Sequence, residues 1–227
     1  MKNRDLFSQI ELHMSEDGST TLYRPDIDEH YHSIHGAIQE SLHVFINAGL
    51  KHLSISEMNI LEIGFGSGLN AYLTLASLPP RVKCHYHALE KYPVDVQMVL
   101  KMNYPSLYPI HKGEELFEKM HRLPWESEQL VNSQFSLLKL RLDLLTFQST
   151  TLYNLIYFDA FGPDKQPEMW TQDIFNTLFD VTALGGLLVT YSAKGDVRRA
   201  LIKAGYKVER LAGPPHKREM LRAQRIS

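Results

Sequence analysis

The run Leu61-Glu-Ile-Gly-Phe-Gly-Ser-Gly-Leu-Asn70 limits the fold of this chain more than any other feature. Asn59 to Phe65 reads as a buried strand running into a glycine turn, and Asn70 to Leu78 as the helix that follows. Strand, glycine turn and helix open a nucleotide-binding unit. The dinucleotide fingerprint G-x-G-x-x-G is nevertheless missed. Gly64, Gly66 and Gly68 alternate, one step tighter, and Glu62 stands two residues before the first. The glycines invite close approach of a ligand, and the acid beside them argues against a pyrophosphate.

The rest of the chain repeats the alternation. Strands are predicted in the segments ending at Glu90, at Leu142 (from Ser136), near Asp159, and at Gly185–Ala193. Helices are predicted after Pro93, over Gly113–Arg122, in Thr171–Leu184 and in Asp196–Gly205. Two last strands, Tyr206–Ala212 and Lys217–Ile226, have no helix between them and form a hairpin. A doubly wound α/β sheet follows: mostly parallel, seven-stranded, with one antiparallel C-terminal strand. Ahead of it, Ile10, Leu12 and Met14 alternate before an Asp17-Gly18 turn, a hairpin signal, and Ile38, Leu42, Phe45 and Ile46 share a helical face. The expected division is an N-terminal hairpin and helix extension, residues 1–50, and a main domain, residues 51–227. Leu123 to Gln134 carries no readable pattern.

At 227 residues the chain fits one domain with a small appendage. Its one cysteine, Cys84, permits no internal disulfide and suits a reducing compartment. Lys2, Arg4 and Asp5 interrupt any secretory leader, and no stretch approaches a membrane span, so a cytoplasmic, non-membrane protein is expected. The net charge of −2 hides an asymmetry: from Lys194 onward there are ten basic and three acidic residues. Such a tail either tolerates a polyanion or is an unevenly charged solvated surface.

Ligands of an open α/β sheet bind beyond the carboxyl ends of its strands. Four successive strands end at or beside an acid: Glu62, Glu90, Asp143 and Asp159. That rim repels a diphosphate and suits S-adenosylmethionine, which carries a sulfonium, an amino group, ribose hydroxyls and an adenine amino group. Glu90 is placed for the ribose hydroxyls and Asp143 for the adenine. Singly, each has a plainer reading: Glu90-Lys91 as a surface ion pair, Asp143 as a cap. Order and spacing together favour adenosylmethionine over a dinucleotide. On the acceptor side, Phe158 to Trp170 sets Asp159, Phe161 and Pro163 just past the fourth strand, where exocyclic-amine methyltransferases place a polar group, prolines and an aromatic. A proline-stiffened strand end is the structural alternative.

At these residues the chain resembles the bacterial tRNA 5-aminomethyl-2-thiouridine methyltransferases, the methylating half of a bifunctional wobble-uridine enzyme. The resemblance lies in four blocks: Tyr31, Ser33, Glu40, Val44 and Phe45; Gly64-Phe-Gly-Ser-Gly-Leu-Asn70; Glu90-Lys-Tyr-Pro93; and Lys217-Arg-Glu-Met220, with the Phe158–Phe175 loop. It implies a class I, Rossmann-like methyltransferase fold that methylates 5-aminomethyl-2-thiouridine at position 34 of tRNA. It adds Phe65, Asn70 and Lys91 to the cofactor residues, and Tyr31, Glu40, Pro163, Lys165, Trp170, Lys217 and Arg218 to the substrate residues. Asp159 is expected to accept and orient the amine, with Phe161, and Trp170 either stacks on the base or anchors the next helix. The chain stops at Ser227, short of the oxidoreductase half, so a separate enzyme is expected to supply the aminomethyl precursor. Gln166 replaces the family's asparagine, and Gly213-Pro-Pro-His216 replaces a glycine-rich basic turn. His30, His32 and His35 fit no recognised zinc spacing, and no metal is expected. Rivals are a small-amine methyl- or aminopropyltransferase on the same fold and a silent binding module.

Overall fold

A computed structural model describes residues 10–227 and places the glycine run between a strand and a helix. Lys2, Arg4 and Asp5 lie outside the described residues. β1 (Glu11–Met14) and β2 (Thr20–Arg24) form the hairpin, and β3 (Glu29–His30), unforeseen, pairs with β2. The alternating face is not the buried one: Leu12 and Met14 are exposed, whereas Thr20, Thr21 and Leu22 on the return strand are buried. α1 (Ala37–Ser41) continues into a π-helical stretch over Leu42–Asn47. Val44, Phe45 and Ile46 there join the same apolar cluster as the main sheet.

The main sheet begins with β4 (Glu57–Ile63), α2 (Leu69–Ser77) and β5 (Lys83–Leu89). The helix expected from Pro93 is only α3 (Val96–Val99). It starts later because the Asp95 carboxylate accepts the Gln97 amide at 2.7 Å. A second short helix, α4 (Tyr104–Leu107), carries Pro105 in its first turn. α5 (Gly113–Arg122) has the predicted bounds. Then come β6 (Gln129–Leu130), β7 (Phe135–Leu140), β8 (Tyr153–Phe158), α6 (Gln172–Val181), β9 (Thr182–Thr190), α7 (Gly195–Ala204), β10 (Lys207–Ala212) and β11 (Glu219–Gln224).

The strand order is β10-β11-β9-β8-β4-β5-β7-β6. β9, β8, β4, β5 and β7 run parallel, and β11 is antiparallel to both neighbours. The sheet has eight strands, one more than the predicted seven. The addition, β6, is a two-residue antiparallel edge from the stretch that the sequence left unread.

Side chains alternate between two apolar clusters, one on each face. Met58 and Ile60 of β4 join the cluster under α2; Leu61 and Ile63 join the one under α6 and α7. The order in which strands are added reverses between the parallel neighbours β4 and β8: from β4 it proceeds to β5 and β7, from β8 to β9 on the other side. That reversal point is where an open α/β sheet binds its ligand.

Candidate active site

The turn after β4 is shaped by its neighbours. Gly64 has φ +92, and a Cβ there would lie 2.8 Å from the Asp159 carbonyl oxygen. Gly66 has φ +50, and a Cβ there would lie 2.8 Å from Cδ1 of Tyr31. Both positions need a residue without a side chain. The Gly66 amide, which in a dinucleotide site would face a phosphate, donates instead to Glu90 Oε2 at 3.0 Å. Glu90 Oε1 accepts the Tyr92 amide at 2.8 Å. Burial raises the pKa of Glu90, while these two amides and Arg24 oppose the rise. Each oxygen keeps a further lone pair for a hydroxyl donor.

A cleft of about 870 Å³, counted with its open mouth, lies over the reversal point. Gly64 and Gly66 form its floor; Glu90, Lys91 and Asp143 form one side, Asp159 and Phe161 the other. Lys91 Nζ lies 2.7 Å from Asp143 Oδ2, and Asp143 Oδ1 accepts the Leu145 amide at 3.1 Å. Asp143 is thus both a cap and an ion-pair partner, and it still lines the cleft. Gly68, Phe65 and Glu62 do not. Gly68 begins α2. Phe65 packs against His121 and Trp125 on the far side of the turn. Glu62 is fully buried; burial first, then neighbouring Asp159, push its pKa well above the usual carboxylate range.

A second cavity abuts the first, and Tyr31, His32, Asp159 and Phe161 line both. Glu40, Tyr191 and Lys217 close it. Asp159 therefore stands at the junction. Asn70 Nδ2 donates to its Oδ2 at 2.7 Å, and His32 Nδ1 lies 3.8 Å from the same oxygen. Burial pushes the Asp159 pKa up to about 7; the Asn70 bond and Lys217 lower it, and Glu40 raises it. Burial pushes His32 down to about 4, so it is neutral, and its Nε2 is 3.0 Å from Ser67 Oγ. Lys217 pairs with Glu40 at 2.7 Å and sits 4.1 Å from the Tyr191 ring centroid.

Trp170 lines neither cavity. Its indole is buried against Phe158, and Nε1 donates to the Phe161 carbonyl at 2.8 Å. Tyr191 likewise donates to the Ala160 carbonyl at 2.8 Å. Together they fix the backbone of the loop that carries Phe161. Phe161 meets Tyr31 edge-on, with centroids 5.2 Å apart. Pro163 and Lys165 lie outside both cavities, Lys165 Nζ 3.6 Å from Asp28. Arg218 is exposed. Of the basic tail, Lys194, Arg199, Arg210, Lys217 and Arg222 are in ion pairs, so its positive field is smaller than the residue count suggests.

Three contributors escaped the sequence reading: Arg24, His32 and Tyr191. Arg24 lines the cofactor cleft from β2, and nothing local marks a hairpin arginine as a site residue. His32 adjoins Tyr31, and in the sequence it reads only as a metal-ligand candidate. The three N-terminal histidines part company: His30 meets His13, His32 faces Asp159, and His35 faces Glu16.

The cleft fits S-adenosylmethionine in its chemistry. The Glu90 carboxylate takes up the amide that would otherwise face a phosphate, a floor without side chains permits close approach, and carboxylates line two walls. A family model described as S-adenosyl-L-methionine-dependent methyltransferase matches residues 114–226. The chain is 34% identical over 212 residues to the tRNA 5-methylaminomethyl-2-thiouridine biosynthesis bifunctional protein MnmC of Ectopseudomonas mendocina, covering 84% of this chain and 31% of the relative. It is 31% identical to the protein of the same name from Magnetococcus marinus, covering 89% and 32%. The chain thus spans about a third of the length of these relatives. The crystal structure of MNMC2 from Aquifex aeolicus superposes with a TM-score of 0.79 at 28% identity, covering 95% of this chain and 70% of that one. Fold, cleft and relatives agree that this chain belongs to the S-adenosyl-L-methionine-dependent methyltransferase family.

Proposed function

We propose that this methyltransferase acts on the 5-aminomethyl group of 5-aminomethyl-2-thiouridine at position 34 of tRNA, giving the 5-methylaminomethyl product. What carries the reading is the position of Asp159, buried where the cofactor cleft meets the second cavity. The relatives' names point to the same nucleoside.

The cofactor supplies an activated methyl on a cationic sulfur. The chain must supply a neutral amine. An alkyl amine with a pKa near ~10 is neutral in about one molecule per thousand at pH 7, a deficit of about 4 kcal/mol. An ordinary aspartate is too weak a base to correct it. Burial makes Asp159 a stronger one, with a pKa of about 7, close to the working pH where a general base is most effective. Asn70 holds one carboxylate oxygen, leaving the other for the amine. Neutral His32 adds a polar ring atom without adding positive charge. Tyr31 and Phe161 offer aromatic walls for a base turned out of its stack. Exposed cations of the C-terminal segment, Arg218 and Lys203 among them, are available to phosphates.

Among the described residues no helix is long and apolar enough to cross a membrane. A cytoplasmic setting belongs to the same proposal. The test is transfer of labelled methyl to tRNA lacking this final methyl, followed by nucleoside digestion and mass analysis. Label in 5-methylaminomethyl-2-thiouridine is expected. Label confined to small amines such as polyamines would replace this reading with the small-amine one.

A further inference from the structure

Away from both cavities, three side chains distant in sequence meet. Glu16 follows β1, His35 precedes α1, and His216 lies in the turn between β10 and β11. Glu16 Oε1 is 2.8 Å from His35 Nδ1, and Glu16 Oε2 is 3.5 Å from His216 Nε2. The two imidazoles stack, with centroids 4.2 Å apart and planes at 25°. One ligand atom from each residue lies within 4.8 Å of the others. Around tetrahedral zinc, with bonds of about 2.0–2.1 Å, neighbouring ligand atoms are about 3.3 Å apart. The two contacts, 2.8 and 3.5 Å, bracket that separation, and half-exposed side chains can close the third.

The backbone holds these positions. The Glu16 amide donates to the Ile34 carbonyl at 2.8 Å, which ties Glu16 to the residue before His35. His216 has φ +65, an uncommon conformation for a residue with a side chain. The Lys217 amide donates to the Pro214 carbonyl at 3.0 Å and closes the turn around it. A simple ion pair accounts for Glu16 with one histidine. It does not account for a second imidazole from a distant turn brought to the same carboxylate. Two imidazoles with one carboxylate, each offering one ligand atom to the same place, form a donor set suited to zinc.

We propose that Glu16, His35 and His216 bind a divalent transition metal of the zinc class, with water completing the shell. The ion ties the β10–β11 turn to the N-terminal hairpin. The next residue in that turn, Lys217, reaches Glu40 at the second cavity, so the tie fixes one wall of that cavity.

The test is calorimetric titration of zinc chloride into the chelator-treated full chain, paired with thermal melts. One site is expected, with Tm raised by roughly 5–10 °C at a hundredfold excess over Kd. His35→Ala and His216→Ala should each weaken zinc by more than about tenfold. His13→Ala, in the separate cluster with Glu11 and His30, should leave it unchanged. No zinc-dependent rise in Tm, unchanged affinity in both His35→Ala and His216→Ala, or loss of binding with His13→Ala would each overturn the proposal. Equal urea midpoints of metal-free wild type and variants show that folding is not the cause.

Discussion

Asp159→Asn should stabilise the cofactor-free protein, and do so only above a definite pH. The Asp159 side chain is nearly inaccessible, and its pKa rises from 3.8 to about 7, chiefly through burial. The folded state therefore keeps a proton that the unfolded chain gives up. The stability from that proton is fully present below pH about 4 and is lost as pH rises through about 7. The gap is about three units at about 1.4 kcal/mol each, so the group contributes a loss of about 4 kcal/mol across the window. Asparagine has the same shape, cannot ionise, and with its amide turned accepts the Asn70 bond. The variant should match wild type near pH 4 and exceed it by about 4 kcal/mol near pH 8.5. Urea unfolding at both pH values measures the difference, and the subtraction cancels the titrating groups that do not interact with Asp159. A difference that is the same at both pH values would refute the claim that Asp159 is a desolvated acid.

Other consequences follow from the same geometry. Gly66→Ala puts a Cβ 2.8 Å from Tyr31 in a left-handed conformation; calorimetry should show cofactor affinity down by at least about tenfold, and unchanged affinity would mean that the turn does not form the cleft floor. Glu90→Gln replaces an oxygen that accepts a backbone amide with an NH₂ that opposes it, so the KM for the cofactor should rise more than about tenfold while kcat at saturation holds. With half of its ten basic residues in ion pairs, the C-terminal segment should give tRNA binding a logarithmic salt slope no steeper than about −5; a flat slope would remove RNA from this face.

The frame of the site was legible because it rests on local patterns. Alternating glycines after an apolar strand, and an acid at the end of each of the next strands, placed Gly64, Gly66, Glu90, Asp143 and Asp159 around one cleft without any long-range information. What failed depends on which way a side chain points. Glu62 and Phe65 lie in the same motif as Gly64 and Gly66, yet Glu62 is buried within β4 and Phe65 packs against His121 and Trp125. Trp170 sits in the acceptor loop but is buried beneath it, where its indole holds a carbonyl rather than a ligand. Contributors from the N-terminal segment, Arg24 and His32, become site residues only when the hairpin folds across the sheet. The two-residue strand β6 is too short to show any periodicity, and α3 is cut short by a cap that competes with Pro93. Charge counting also misleads, because it ignores the acids that tertiary structure brings to the basic tail.

The role of Asp159 is tested most directly by measuring two quantities on one variant: cofactor affinity, and the single-turnover rate of methyl transfer to tRNA bearing the 5-aminomethyl group. For Asp159→Asn the account predicts a cofactor Kd within about threefold of wild type and a transfer rate lower by about 10²-fold or more, the usual range for a lost general base. Affinity and rate falling together would place Asp159 in cofactor binding and contradict its assignment to the amine.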